Sequence, residues 1–223
     1  MEDKAKRLKA ASRRIGPSAH EEGDRLPPGQ SLTDRFPILH IGEVPRYELD
    51  TWTLRVFGEV EEEQTFTYAD LLQLPRVQSV SDIHCVTRWS KFDTVWEGVR
   101  FRDLLAAVSP KKDAGYVMIH ADPDYETNLP LTELMGDDVL LAYHYDGKPL
   151  TPKHGWPIRL VVPQLYFWKS AKWIRGIEFM KEDRQGFWEN HGFHNEADPF
   201  KEERFSEEEY EMPEDEWKYC DYD

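Results

Sequence analysis

The chain has 223 residues and a formal net charge of −15, with 39% hydrophobic, 13% aromatic and 32% charged residues. That size suits one large domain with tails, and the acidic balance disfavours tight nucleic-acid binding, which needs a basic face. No run of about 18 apolar residues occurs, so no transmembrane helix is expected. Two cysteines, Cys85 and Cys220, make no disulfide framework and fit a reduced, cytoplasmic setting.

The charge is uneven. From Glu196 to Asp223 there are thirteen acidic and three basic residues, a net −10. The segment 206–223 therefore reads as an acidic, solubilising tail on a mildly acidic body.

Residues 1–33 are polar, contain Gly and Pro and run through "LPPGQ", the chemistry of a flexible arm. Arg13-Arg14 is followed by no apolar stretch, so no export signal is expected. Residues 34–205 read as the folded domain. "WTLRVFGEV" alternates, with Trp52, Leu54 and Val56 on one face, and predicts a half-buried strand. "TYADLLQLP" predicts a short helix: Thr67 and Asp70 have capping-box spacing, and Pro75 ends it. "VRFRDLLAAVSP" predicts a second helix, ended near Pro110. Four strands follow in "GYVMIHA", "DVLLAYHY", "IRLVVP" and "KWIRGIEFM", and "YDGKPL" holds an Asp146-Gly147 hairpin turn. Strands with a few short helices between them predict an α+β fold. No G-x-G-x-x-G opens a helix, so a Rossmann domain is not expected.

Three stretches carry chemistry. In "SDIHCVTRWS", Cys85 stands among more polar groups than an ordinary core strand holds. A buried small hydrophobe, a nucleophile and a metal ligand are all open to it, and a nearby cation such as Arg88 favours the thiolate. A lone thiolate beside His84 makes no structural zinc site, which wants four ligands at recognisable spacings. In "HGWPIRLVVPQLYFWKSAKW", His154, Arg159, Lys169 and Lys172 are threaded through aromatics, either as a cradle for a phosphorylated planar cofactor or as solvated ends of a strand pair. In "DRFPILH", His40 closes an apolar run, a position equally natural for a core-edge histidine. "GFWENHGFHNEADPF" reads as a segment wrapped on the body.

Taken in order, "HCVTRWS", "TVWEGVRFRDLL", "YETNLPLTELMGDDVLLAYHYDGKPLTPKHGWPIRLVVP" and "KSAKWIRGIEF" resemble the molybdopterin-binding domain of the sulfite oxidase family, from about Phe36 to Phe205. The resemblance implies an α+β domain of mostly mixed β-sheet or barrel with short helices, and one mononuclear molybdenum cofactor. It implies Cys85 as the sulfur ligand of molybdenum, which suits a soft, deprotonated ligand. His154 and Arg159 match positions that hold the pterin and its phosphate, and Lys169, Ser170 and Lys172 match the later pterin-binding segment. His40 resembles the histidine of an early pterin-contacting motif that here lacks its usual Arg-Asn.

Oxygen-atom transfer on a small oxo-substrate, sulfite-like or an S- or N-oxide, is the implied activity. Cys85 is then a permanent ligand and Arg88 the candidate substrate anchor, or else a structural partner of Asp82 or Asp93. Trp89 and Trp96 either wall the pocket or pack. The alternative is a non-catalytic molybdopterin-binding or carrier module. After Cys85 the chain reads Val-Thr-Arg-Trp rather than the Gly-Asn-Arg of sulfite oxidases, closer to a single-domain bacterial branch that includes a methionine-sulfoxide reductase. No cytochrome b5-like domain, haem motif or immunoglobulin-like dimerisation domain is found in the sequence. The expectation is a monomer without haem, binding neither membrane nor nucleic acid, that exchanges electrons with a separate donor or acceptor.

Overall fold

The structure is a computed structural model that describes residues 25–40, 42–206 and 220–221, the last two by backbone alone. Most of the expected acidic tail and of the N-terminal arm lies outside the described residues.

Two sheets form the body. In the first, β5 (Arg76–His84) and β6 (Trp89–Arg100) make a long antiparallel hairpin, and β6 pairs on its other edge with β9 (Leu140–Tyr145). β9 continues to β10 (Lys148–Pro149) and β11 (Arg159–Val161), and β1 (Ser31–Leu32) joins β6 in parallel. The second sheet runs β4 (Gln64–Thr67), β3 (Thr53–Gly58), β12 (Ile174–Met180), β7 (Tyr116–Ala121), β8 (Tyr125–Pro130), with β12 and β3 parallel. A small third ladder pairs β2 (Ile38–Leu39) with β13 (Cys220–Asp221). Mixed sheets with short helices make this an α+β fold, as the sequence predicts.

The local signals act as expected. Leu54 and Val56 of β3, with Trp52 just before it, are buried while Arg55 is exposed, each large side chain adding roughly 1.5–3 kcal/mol of burial. α1 (Tyr68–Leu71) opens on a capping box, with Thr67 and Asp70 each satisfying the other's backbone N–H. α2 (Phe101–Val108) turns Phe101, Leu104 and Val108 into the core. Asp146 and Gly147 both take positive φ in the β9–β10 turn, as a primed hairpin turn requires.

The β5–β6 hairpin is where pattern reading fails. Its residues Ser79, Ser81, Asp82 and Thr94 are polar yet buried. Each has an internal partner: Ser79 Oγ and Ser81 Oγ lie 3.1 Å apart, and Thr94 Oγ1 donates to the Ser81 carbonyl. Asp82 takes a two-pronged contact from Arg25 at 2.8 and 2.6 Å. Satisfied polar groups can be buried at little net loss, so alternation is no guide here. The same contact corrects the boundary of the N-terminal arm. Residues 25–33 are built into the body through Arg25, Gln30 and β1.

Candidate active site

Cys85 opens the four-residue loop that joins β5 to β6. Its N–H donates to the Trp89 carbonyl at 2.9 Å, and the Arg88 N–H donates back to the Cys85 carbonyl at 3.1 Å. Arg88 closes the loop at φ 70, the left-handed position such a hairpin needs. Cys85 is 5% exposed, with Sγ 3.1 Å from Thr87 Oγ1. The sulfur lines a cavity of about 550 Å³, whose other walls come from residues 36–40, Gly42, Asp122, Tyr125 and parts of 153–173 and 187–193.

The positive charge in the lining comes from the segment 153–172. Arg159, 2% exposed, enters on β11 and donates to the carbonyls of His154 at 3.1 Å and Ser170 at 2.8 Å, with its guanidinium 4.4 Å over the Phe167 ring. Burial pushes its pKa down to about 9, which leaves it charged at neutral pH. Lys172, partly buried, donates to the carbonyls of Leu39 at 2.6 Å and Lys153 at 3.0 Å. Burial, and then the neighbouring Arg159, push it well below the usual lysine range. Among the described residues neither cation has a carboxylate partner. His154 stacks on Phe36 at 4.5 Å and 27°. Its Nδ1 lies 2.8 Å from Thr151 Oγ1, and its Nε2 is buried without a hydrogen-bond partner, as is Trp89 Nε1. Burial, with Arg159 next, holds the His154 imidazole neutral down to about pH 4.

The cavity brings together most of the residues the sequence singles out: His40, Cys85, His154, Arg159, Ser170 and Lys172 all line it. His40 Nδ1 is 2.9 Å from the Gly42 carbonyl and its ring stands edge-on to Trp173. Ser170 Oγ accepts from the Val162 N–H at 2.9 Å. Two residues are placed elsewhere. Lys169 is turned away from the cavity into an ion pair with Glu189 at 2.6 Å, because a fully buried ammonium needs a counter-charge. Arg88 is exposed and outside the lining, because its backbone conformation directs the side chain away. Asp82 and Asp93, its expected partners, are held by Arg25. Trp89 lines the cavity, while Trp96 is fully buried and donates to Thr94 Oγ1 at 2.8 Å. Sequence reading missed Phe36, Asp122, Tyr125, Trp168 and His191 as lining residues. Only the aromatic density of 166–168 and 187–193 hinted at them.

Uncompensated cations, unpartnered polar nitrogens and aromatic faces around one cysteine fit a flat, phosphorylated anion that offers acceptors. Residues 41–188 match the family described as the oxidoreductase molybdopterin binding domain. The chain belongs to this family, of the sulfite oxidase type. Its residues fit the cofactor that the family implies, the molybdenum cofactor. The chain is 48% identical over 187 residues to the uncharacterized oxidoreductase YuiH of Bacillus subtilis (strain 168), covering 83% of this chain and 94% of that protein. It is 30% identical over 169 residues to a putative protein-methionine-sulfoxide reductase subunit, YedZ1, of Azospira oryzae, covering 74% of this chain and 64% of that one. A protein-methionine-sulfoxide reductase catalytic subunit, MsrP, of Campylobacter jejuni is 30% identical over 69% of this chain and 59% of its own. The chain thus spans less than two thirds of the two reductase subunits. The sulfane dehydrogenase SoxCD of Paracoccus pantotrophus shares the fold with a TM-score of 0.57 at 24% identity, over 62% of this chain and 40% of that one.

Proposed function

We propose that this molybdopterin oxidoreductase removes the oxygen atom from a small, neutral S- or N-oxide. In this reading Cys85 is the sulfur ligand of molybdenum. Arg159, Lys172, His154 and Ser170 hold the phosphate-bearing pterin, with His40 at its rim. The observation that carries it is a buried cysteine that lines one cavity with two basic side chains, Arg159 and Lys172, which have no carboxylate partner among the described residues.

The bound cofactor supplies two-electron oxygen-atom transfer. The protein's own part is binding, orientation and exclusion of water. Loss of one oxygen atom from an S- or N-oxide takes two electrons and two protons and releases water. The electrons come from a separate carrier protein. Preference for a neutral substrate over sulfite rests on the wall that carries Cys85. Val86, Thr87 and Trp89 line the cavity there, whereas Arg88 does not. A dianion on that wall would lose its hydration without a charged partner. The lining cations Lys153, Arg159 and Lys172 come from the separate segment 153–172.

The test begins with the full chain purified from cells that make the cofactor. Molybdenum and pterin are expected in equal amounts, with turnover of organic S- or N-oxides from a reduced dye exceeding sulfite oxidation. Cys85→Ala should keep the pterin, lose molybdenum and lose turnover. Turnover surviving in Cys85→Ala, or sulfite as the better substrate, would overturn the assignment.

A further inference from the structure

The loop that presents Cys85 is held by two segments far from it in sequence. Gln30 Nε2 donates to the Cys85 carbonyl at 2.9 Å, filling the second acceptor site of an oxygen that already takes the Arg88 N–H. Arg204 Nη1 donates to the next carbonyl, that of Val86, at 2.8 Å, and its Nη2 to the Pro28 carbonyl at 3.2 Å. Gln30 and Arg204 are both buried, and neither lines the cavity.

Arg204 is itself fixed. Its carbonyl accepts the His194 N–H at 3.1 Å, and an isolated bridge pairs its neighbour Phe205 with Phe193. Its guanidinium sits 4.9 Å over the Tyr166 ring. Among the described residues the nearest carboxylate oxygen, on half-exposed Glu202, is 3.9 Å away. The residue therefore directs its charge at backbone carbonyls rather than at a counter-ion. Close packing completes the grip. Gly29 takes φ +66, and a Cβ there would come within 2.9 Å of Glu202 Oε1 and 3.0 Å of Arg88 Nη1.

A four-residue loop ending in a strained non-glycine position does not by itself have one geometry. A charge-assisted hydrogen bond from Arg204 to the Val86 carbonyl, with the Gln30 amide bond to the Cys85 carbonyl before it, selects one. We infer that Arg204, assisted by Gln30, is a positioning residue that fixes where the Cys85 sulfur sits in the cavity. The segments 28–32 and 198–206 thus form a buckle behind the metal-binding loop. This rests on the reading of Cys85 as the metal ligand.

The experiment compares wild type, Arg204→Met, Arg204→Lys and Gln30→Leu as full chains from cofactor-synthesising cells. Two quantities are read: hydrogen exchange of the 85–89 amides, and molybdenum bound per pterin. Arg204→Met should speed exchange there roughly tenfold or more and lower molybdenum per pterin while pterin stays bound by the segment 153–172. Arg204→Lys should fall between, since an ammonium lacks the planar fork, and Gln30→Leu should shift both readouts in the same direction. Wild-type exchange and wild-type metal content in folded Arg204→Met and Gln30→Leu would overturn the inference. If Arg204→Met does not fold, Gln30→Leu decides alone. A wild type without molybdenum would remove the ligand reading, while the exchange comparison would still decide the buckle.

Discussion

Lys169 Nζ lies 2.6 Å from Glu189 Oε1, and both side chains are wholly out of solvent. Lys169 also donates to the Asn128 carbonyl at 2.8 Å, and Glu189 Oε1 accepts from Thr127 and from the Trp168 indole. Burial lowers the lysine's pKa against the opposing pull of Glu189. Removing one partner leaves an uncompensated buried charge. Lys169→Met should therefore destabilise the protein by about 3–5 kcal/mol. Adding Glu189→Gln should recover most of that loss, because the amide still accepts from Thr127 and Trp168. Urea unfolding of the single and double variants measures both. A loss of pterin in Lys169→Met without a loss of stability would instead put Lys169 in the cofactor site.

Arg159 and Lys172 make the opposite case, basic side chains with no carboxylate partner among the described residues. In the cofactor-free chain, inorganic pyrophosphate at about ten times its Kd should raise Tm by a few degrees. The shift should vanish in Arg159→Met. Purified from cofactor-synthesising cells, Arg159→Met and Lys172→Met should lose pterin and molybdenum together, in contrast to Cys85→Ala, which loses only the metal. Full pterin retention in both would remove them from the phosphate site.

His154 gives the site a pH signature. Burial lowers its pKa to about 4, below the ordinary 6.5. Below pH 6.5 the unfolded chain takes up a proton that the folded chain refuses until about pH 4. The stability tied to the neutral imidazole is thus complete above pH 6.5 and is lost progressively down to pH 4. Denaturant unfolding of the cofactor-free chain between pH 7 and 4.5 should show a flatter pH dependence for His154→Asn than for wild type. Parallel curves would mean that the ring titrates alike in the folded and unfolded chains, which would remove the pKa shift.

Much of the fold was legible because the physics there is local. The capping box at Thr67 and Asp70, the alternation of Trp52, Leu54 and Val56, and the Asp146-Gly147 turn each follow from a few neighbouring residues. The β5–β6 hairpin was not, because its buried polar residues are satisfied by groups far away, Arg25 above all. The site divides in the same way. Residue types and their order marked Cys85, His154, Arg159, Ser170 and Lys172, all of which line the cavity. They marked Lys169 and Arg88 equally strongly, and these do not.

By itself the sequence determined the kind of chemistry only through its ordered series of motifs, whose resemblance to the sulfite oxidase family implies a molybdopterin-binding domain. Only the tertiary structure decided which of the cations in those motifs is free to meet an anion. Whether a lysine finds a buried glutamate 20 residues along the chain, as Lys169 does, or two backbone carbonyls at a cavity wall, as Lys172 does, depends on how the sheets pack. A charge's function is set by its nearest counter-charge, and proximity across the fold is not written in spacing along the chain.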